Sequence, residues 1–185
     1  MDVIEHLVQE HRSVEQLLQR LADSDPGEER RRTVDELVDS LSTHMAVEER
    51  FVYPIVVEVA GEEDEREAHT EHDLARQGLQ QLRELVDQPG FGAAVDMVTA
   101  GIAHHVHEEE HEVFPTLRAD AADAVAALGP PDELERAVRG GGGGVGPDED
   151  LTKEELYERA REAGIEGRSS MDKAELAEAL EAEGA

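Results

Sequence analysis

Displacing the chain by 61 residues, with no gap, lays His11 on His72, His44 on His105, Glu48 on Glu109, Glu49 on Glu110 and Pro54 on Pro115. The same displacement matches Glu10 with Glu71, Leu18 with Leu79, Leu21 with Leu82, and Val34-Asp35 with Val95-Asp96. A chain that repeats itself in this way is read as two copies of one unit packed about a pseudo-two-fold axis.

The unit is a helical hairpin. Leu7, His11, Val14, Leu18 and Leu21 recur at spacings of four and three, which places them on one helical stripe. After the break at Asp23-Ser24-Asp25-Pro26-Gly27, Val34, Leu37, Leu41, His44, Glu48 and Ile55 share a second stripe, with Pro54 expected to bend that helix. Beyond Gly61 a third stripe holds Ala68, His72, Ala75, Leu79, Leu82 and Val86, and stops before Gln88-Pro89-Gly90. The fourth holds Val95, Val98, Ile102, His105, Glu109 and Val113 and reaches Pro115. Short turns between such helices predict an all-α chain, an antiparallel up-down four-helix bundle over residues 1–128.

From residue 129 the composition turns polar and then glycine-rich, through Gly140 to Gly144 and Gly146-Pro147, which reads as a linker over 129–150. Residues 151–185 predict a small helix-loop-helix, with Leu156, Ala160 and Ile165 before a turn at Gly167 and Ala174, Leu176 and Leu180 after it.

The apolar stripes carry residues that an apolar core does not tolerate unaided. Buried carboxylates cost several kcal/mol unless paired, and neutral imidazoles also need partners. Residues four apart on a helix are neighbours, so His44 with Glu48 and His105 with Glu109 can reach one metal pair without bending the backbone. With His11 and His72 they make six candidate ligands in one layer: His11, His44, Glu48, His72, His105 and Glu109. The chain has no cysteine, which excludes disulfides, zinc-thiolate sites, iron-sulfur clusters and cysteine nucleophiles. Imidazole and carboxylate together suit iron best, manganese next and zinc less well in a two-metal redox site.

His11, then His44-Met-Ala-Val-Glu48-Glu49 with Tyr53-Pro54, then His72, then His105-Val-His-Glu-Glu109-Glu110 with Phe114-Pro115, resembles the HHE domain of hemerythrin-like proteins over about residues 1–128. The resemblance implies two iron ions (ferrous or ferric), bridged by the two glutamates and by an oxo or hydroxo group. The sequence departs from the oxygen-carrying hemerythrins, whose third helix presents two histidines four apart and whose fourth ends in a histidine and an aspartate five apart. Here Arg76 stands four after His72, and Glu109 four after His105. A changed ligand set alters the redox potential and what binds the open position, which argues against reversible oxygen carriage.

Several neighbours carry two readings. His69, three residues before His72, is either a substitute ligand or a supporting partner, or else a packed residue; Val8 stands at its place in the first hairpin. Tyr53 and Phe114 point away from the ligands on an ideal helix, so core packing is expected unless the prolines distort the turn. His104, His107 and His111 form a separate stripe interleaved with glutamates, read as a solvated face. Glu49 and Glu110 lie 100° off the inward stripe, as surface groups or supports for the ligands.

A net charge of −29 repels phosphates and anionic lipid, so neither nucleic acid nor membrane is expected as a partner. Residues 151–185 are similar to the small N-terminal helical motif of Rho termination factor, a motif of nucleic-acid-binding proteins. With ten acidic and five basic side chains they fit a protein partner better. The opening Met1-Asp2-Val3-Ile4 carries no signal-peptide pattern, and a cytoplasmic location is expected. Two functions follow: a di-iron protein reacting with oxygen, hydrogen peroxide or nitric oxide, with catalase-like turnover as its enzymatic form, or an oxygen or iron sensor or store that signals through residues 151–185. A metal-free adaptor is the third reading.

Overall fold

The computed structural model describes residues 1–140; the helix-loop-helix and Rho-like motif expected over 151–185, and residues 141–150 of the expected linker, lie outside the described residues. Every regular element described is helical. In chain order these are α1 (Val3–Ala22), α2 (Glu28–Val47), a π-helical turn (Glu48–Val52), α3 (Tyr53–Val59), α4 (Glu62–Leu85), α5 (Phe91–Glu108), a second π-helical turn (Glu109–Val113), α6 (Phe114–Asp120), α7 (Ala122–Ala127) and α8 (Pro131–Gly140). Met1–Val138 form one compact unit.

Local chemistry sets the helix limits. The Asp2 carboxylate accepts the Glu5 N–H at 2.8 Å while the Glu5 carboxylate accepts the Asp2 N–H at 3.2 Å, a reciprocal cap that starts α1. Such a cap contributes about 1 kcal/mol. Gly61 and Gly90 precede α4 and α5 with φ of 108° and 100°, where any side chain would be strained.

The expected stripes are buried. α1 packs on α2 and α5, and α4 on α2 and α5. Two apolar clusters result. One contains Val14, Leu18, Leu37, Leu41, Leu79, Leu82, Val95 and Ile102; the other contains Leu7, Val47, Val52, Ile55, Phe114, Leu117, Val125 and Leu134. The helix α8 lies in the stretch assigned from sequence to the linker; proline suits its first turn and Leu134 is buried in the second cluster. Among the described residues no helix is long and apolar enough to cross a membrane.

Pro54 was expected to bend the second helix. The distortion takes the form of a widened turn just before it: the Tyr53 N–H reaches the Glu48 carbonyl five residues back, and the Phe114 N–H reaches that of Glu109. Proline has no N–H to give and its ring crowds the carbonyl four residues earlier. Those carbonyls belong to Arg50 and His111, inside the two widened turns, so the repeat of the prolines explains the repeat of the turns.

Candidate metal centre

The histidine and glutamate positions fall between the two apolar clusters on every long helix: Leu7, His11 and Val14 on α1, and Ala68, His72 and Ala75 on α4, show the order. His11, His44, Glu48, His72, His105 and Glu109 are all buried, Glu48 completely and Glu109 at 2 % exposure. Helix geometry brings them together as two overlapping groups of donor atoms. One consists of His11, His44, Glu48 and Glu109, the other of Glu48, His72 and His105, and within each group the donor atoms lie within 4.8 Å of one another.

Inside the layer the Nε2 atoms face each other. His11 Nε2 is 3.1 Å from His44 Nε2, and His72 Nε2 is 3.3 Å from His105 Nε2. Glu48 Oε1 lies 3.0 Å from His44 Nε2 and Glu48 Oε2 lies 3.3 Å from His72 Nε2. Glu109 Oε2 lies 3.3 Å from His11 Nε2 and 3.4 Å from His105 Nε2. Despite these short separations, both oxygens of Glu48 and the Oε2 of Glu109 have no hydrogen-bond partner. An unsatisfied buried carboxylate oxygen costs at least 1–3 kcal/mol, roughly, and three occur together here. Donors that converge on a shared point without aligning on one another fit a cation between them.

Outside the layer each imidazole is held by its other nitrogen. His11 Nδ1 pairs with Glu110 at 2.9 Å and His72 Nδ1 with Glu49 at 2.7 Å. His44 Nδ1 pairs with Glu10 at 3.1 Å and His105 Nδ1 with Glu71 at 2.9 Å. These four contacts obey the 61-residue repeat, and each orients a ring with Nε2 inward, the arrangement that fixes a metal-binding tautomer. Glu49 and Glu110 thus serve as supports, one of the two roles expected of them. Glu10 and Glu71 were missed as functional residues. Their signal was in the sequence: they are repeat mates, each directly before a histidine.

Arg76, which stands in place of a histidine, donates to both oxygens of Glu49 at 2.7 Å. Arg12 donates to Glu110 in the other hairpin. The two arginines are not repeat mates: the pair Arg12 and Glu15 in α1 becomes Asp73 and Arg76 in α4, with the charges exchanged. Either order places a guanidinium on the carboxylate that holds the ligand-facing ring.

Charges follow this geometry. Burial lowers the His72 pKa, but the adjacent carboxylates of Glu48 and Glu49 outweigh it and raise it to about 9. At His44 burial is likewise overcome, by Glu48 and Glu10, and the pKa stands well above the usual value; His105 is raised by Glu109, Glu71 and Glu48. Burial pushes Glu48 up, yet His44 and His72 bring it well below the carboxylate range.

Tyr53 is the largest departure from expectation. Its hydroxyl donates to Glu109 Oε1 at 3.1 Å and lies 3.1 Å from His72 Nε2. Five residues after Glu48 on an ideal α-helix it would point about 140° away; the widened turn brings it round. Burial, then the charges of Glu48 and Glu109, raise its pKa well above the ordinary phenol value, so it stays protonated. Its mate Phe114 stacks on His11 with ring centroids 5.9 Å apart and has no hydroxyl to offer. His69 joins neither donor group: it is 43 % exposed, 3.8 Å from Glu49, and sets its ring edge against Tyr53. His107 and His111 are exposed and stack on each other, while exposed His104 lies 3.3 Å from Glu71 and 3.4 Å from Glu108.

An all-helical core with converging buried imidazoles and carboxylates defines a metal-binding helical domain. Residues 2–117 match the family model of the hemerythrin HHE cation binding domain, and the chain belongs to that family. Searches of curated proteins and of solved structures returned no match.

Proposed function

We propose that this protein is a di-iron protein whose buried site reacts with a small oxidant, and that His11, His44, Glu48, His72, His105 and Glu109 are the ligands. The observation that carries the reading is the pair of converging donor groups with orphaned Glu48 and Glu109 oxygens. The order in which α1, α2, α4 and α5 meet the two apolar clusters alternates, which supports an up-down antiparallel bundle with the site across its middle.

When bound, an iron pair supplies one- or two-electron chemistry toward oxygen, hydrogen peroxide or nitric oxide. The chain's own residues do the rest. Glu48 belongs to both donor groups and is placed to bridge them. The His72, His105 group has one donor fewer than its neighbour, so a metal held there would leave more room for a small reactant. Tyr53 is the protic residue beside that group: its hydroxyl, 3.1 Å from both Glu109 Oε1 and His72 Nε2, stays protonated and would donate a hydrogen bond to a small oxidant held there. An apolar pocket of about 350 Å³ between α4 and α5, walled by Met45, Val98 and Ile102, reaches His72 and His105 and suits a small uncharged reactant.

Anaerobic reconstitution with ferrous iron, followed by peroxide, tests this. Oxygen evolution that disappears in His44→Ala supports catalase-like turnover. A loaded protein that neither evolves oxygen nor changes its visible spectrum with peroxide, oxygen or nitric oxide contradicts the oxidant reading.

A further inference from the structure

The two hairpins share a repeat but differ on the side of the site that faces the second apolar cluster. In the first hairpin this side is apolar. Leu7, Val47 and Ile55 are buried there with Val125 of α7 and Leu134 of α8. His6 ties α8 down through Glu135 at 2.6 Å. Displaced by 61 residues, the same positions become Ala68, Glu108, Thr116 and Glu67 in place of Leu7, Val47, Ile55 and His6, and Phe51 becomes Glu112.

Those replacements surround a cavity of about 210 Å³, whose inner wall includes Tyr53, His105 and Glu109. Glu67 and Glu112 are exposed and Glu108 half-buried, so the acids stand toward solvent. Val56, Val113 and Leu117 line the passage between. Low-dielectric walls under a ring of one sign focus the field and raise the local concentration of the opposite charge. At the inner end stands Glu109, 2 % exposed, whose Oε2 has no partner.

Building on the metal-site reading, we propose that this cavity is the entrance through which a divalent cation reaches the buried site, drawn in by Glu67, Glu108 and Glu112. Duplication supplies two equivalent mouths; α7, α8 and apolar side chains close one, and small and acidic residues hold the other open. Glu71 also borders the cavity but is engaged with His105, so it positions a ring rather than guides the ion.

The test is anaerobic stopped-flow mixing of the metal-free protein with Co²⁺, read by visible absorption, with the bound metal counted at the end. The triple variant Glu67→Gln/Glu108→Gln/Glu112→Gln fills about tenfold more slowly at low salt, with a weaker salt dependence and an unchanged end-point. Ala68→Leu, which restores the residue of the closed mouth, also slows filling with no change of charge. Asp35→Asn/Glu84→Gln/Asp96→Asn, exposed acids beside the first apolar cluster, fill within about twofold of the parent rate. Parent-like filling by both mouth variants overturns the entrance while leaving the site intact, as does equal slowing by the distant triple. A parent protein that takes up no cobalt overturns the metal site, and the entrance with it.

Discussion

Tyr53→Phe gives the first hairpin the residue that the second already has at Phe114. The change keeps the ring and removes one oxygen, which contacts Glu109 Oε1 and His72 Nε2 at 3.1 Å each. Glu109 then has neither carboxylate oxygen satisfied, since Oε2 lacks a partner already. A hydrogen bond to a buried charged group is worth about 1.5–3 kcal/mol. With a urea m-value of about 2 kcal/mol/M, the midpoint of the chelator-treated protein should fall by about 1 M with m unchanged. In the iron-loaded protein the loss should be smaller, because the cation then satisfies Glu109. Urea titration followed by circular dichroism, with and without iron, measures both. A midpoint within about 0.2 M of the parent in the metal-free state refutes the placement of the hydroxyl.

Three further outcomes follow from the same contacts. His72 titrates at about 9 when folded against an ordinary 6.5, so its contribution to the metal-free fold is complete below about pH 6.5 and is lost as pH rises through 9; denaturation at pH 6, 8 and 9.5 should show this decline. For the same reason, iron binding at pH 7 should release protons to an indicator dye, and the apparent affinity should rise with pH over that window. Glu10→Gln and Glu71→Gln, which weaken the grip on His44 and His105, should each lower metal affinity about 10–100-fold in competition with a chelator, with little loss of helix content by circular dichroism.

The bundle helices and the six-residue layer were legible because both rest on periodicity. Burial forces apolar residues to recur at helical spacing, and the repeat fixes which polar residues share the stripe. Tyr53 was illegible because its direction depends on a turn that widens by one residue ahead of Pro54, and periodicity assumes a regular turn. Glu10 and Glu71 stand out in the sequence as repeat mates beside histidines, but which ring each supports does not, because each holds a different histidine across the hairpin. Arg76 read as a lost ligand; its contact with Glu49 shows a guanidinium steadying the carboxylate behind His72. The helix α8 was hidden by its polar composition, where Leu134 supplies the buried contact.

The six buried side chains are proposed to hold two metal ions in one site. Anaerobic titration of the chelator-treated protein with ferrous iron, with metal counted after desalting, tests it directly. Two irons per chain are expected, falling to one in His72→Ala/His105→Ala, whose remaining donors are His11, His44, Glu48 and Glu109. One iron or none in the parent protein, or two in the double variant, would contradict the two-metal site.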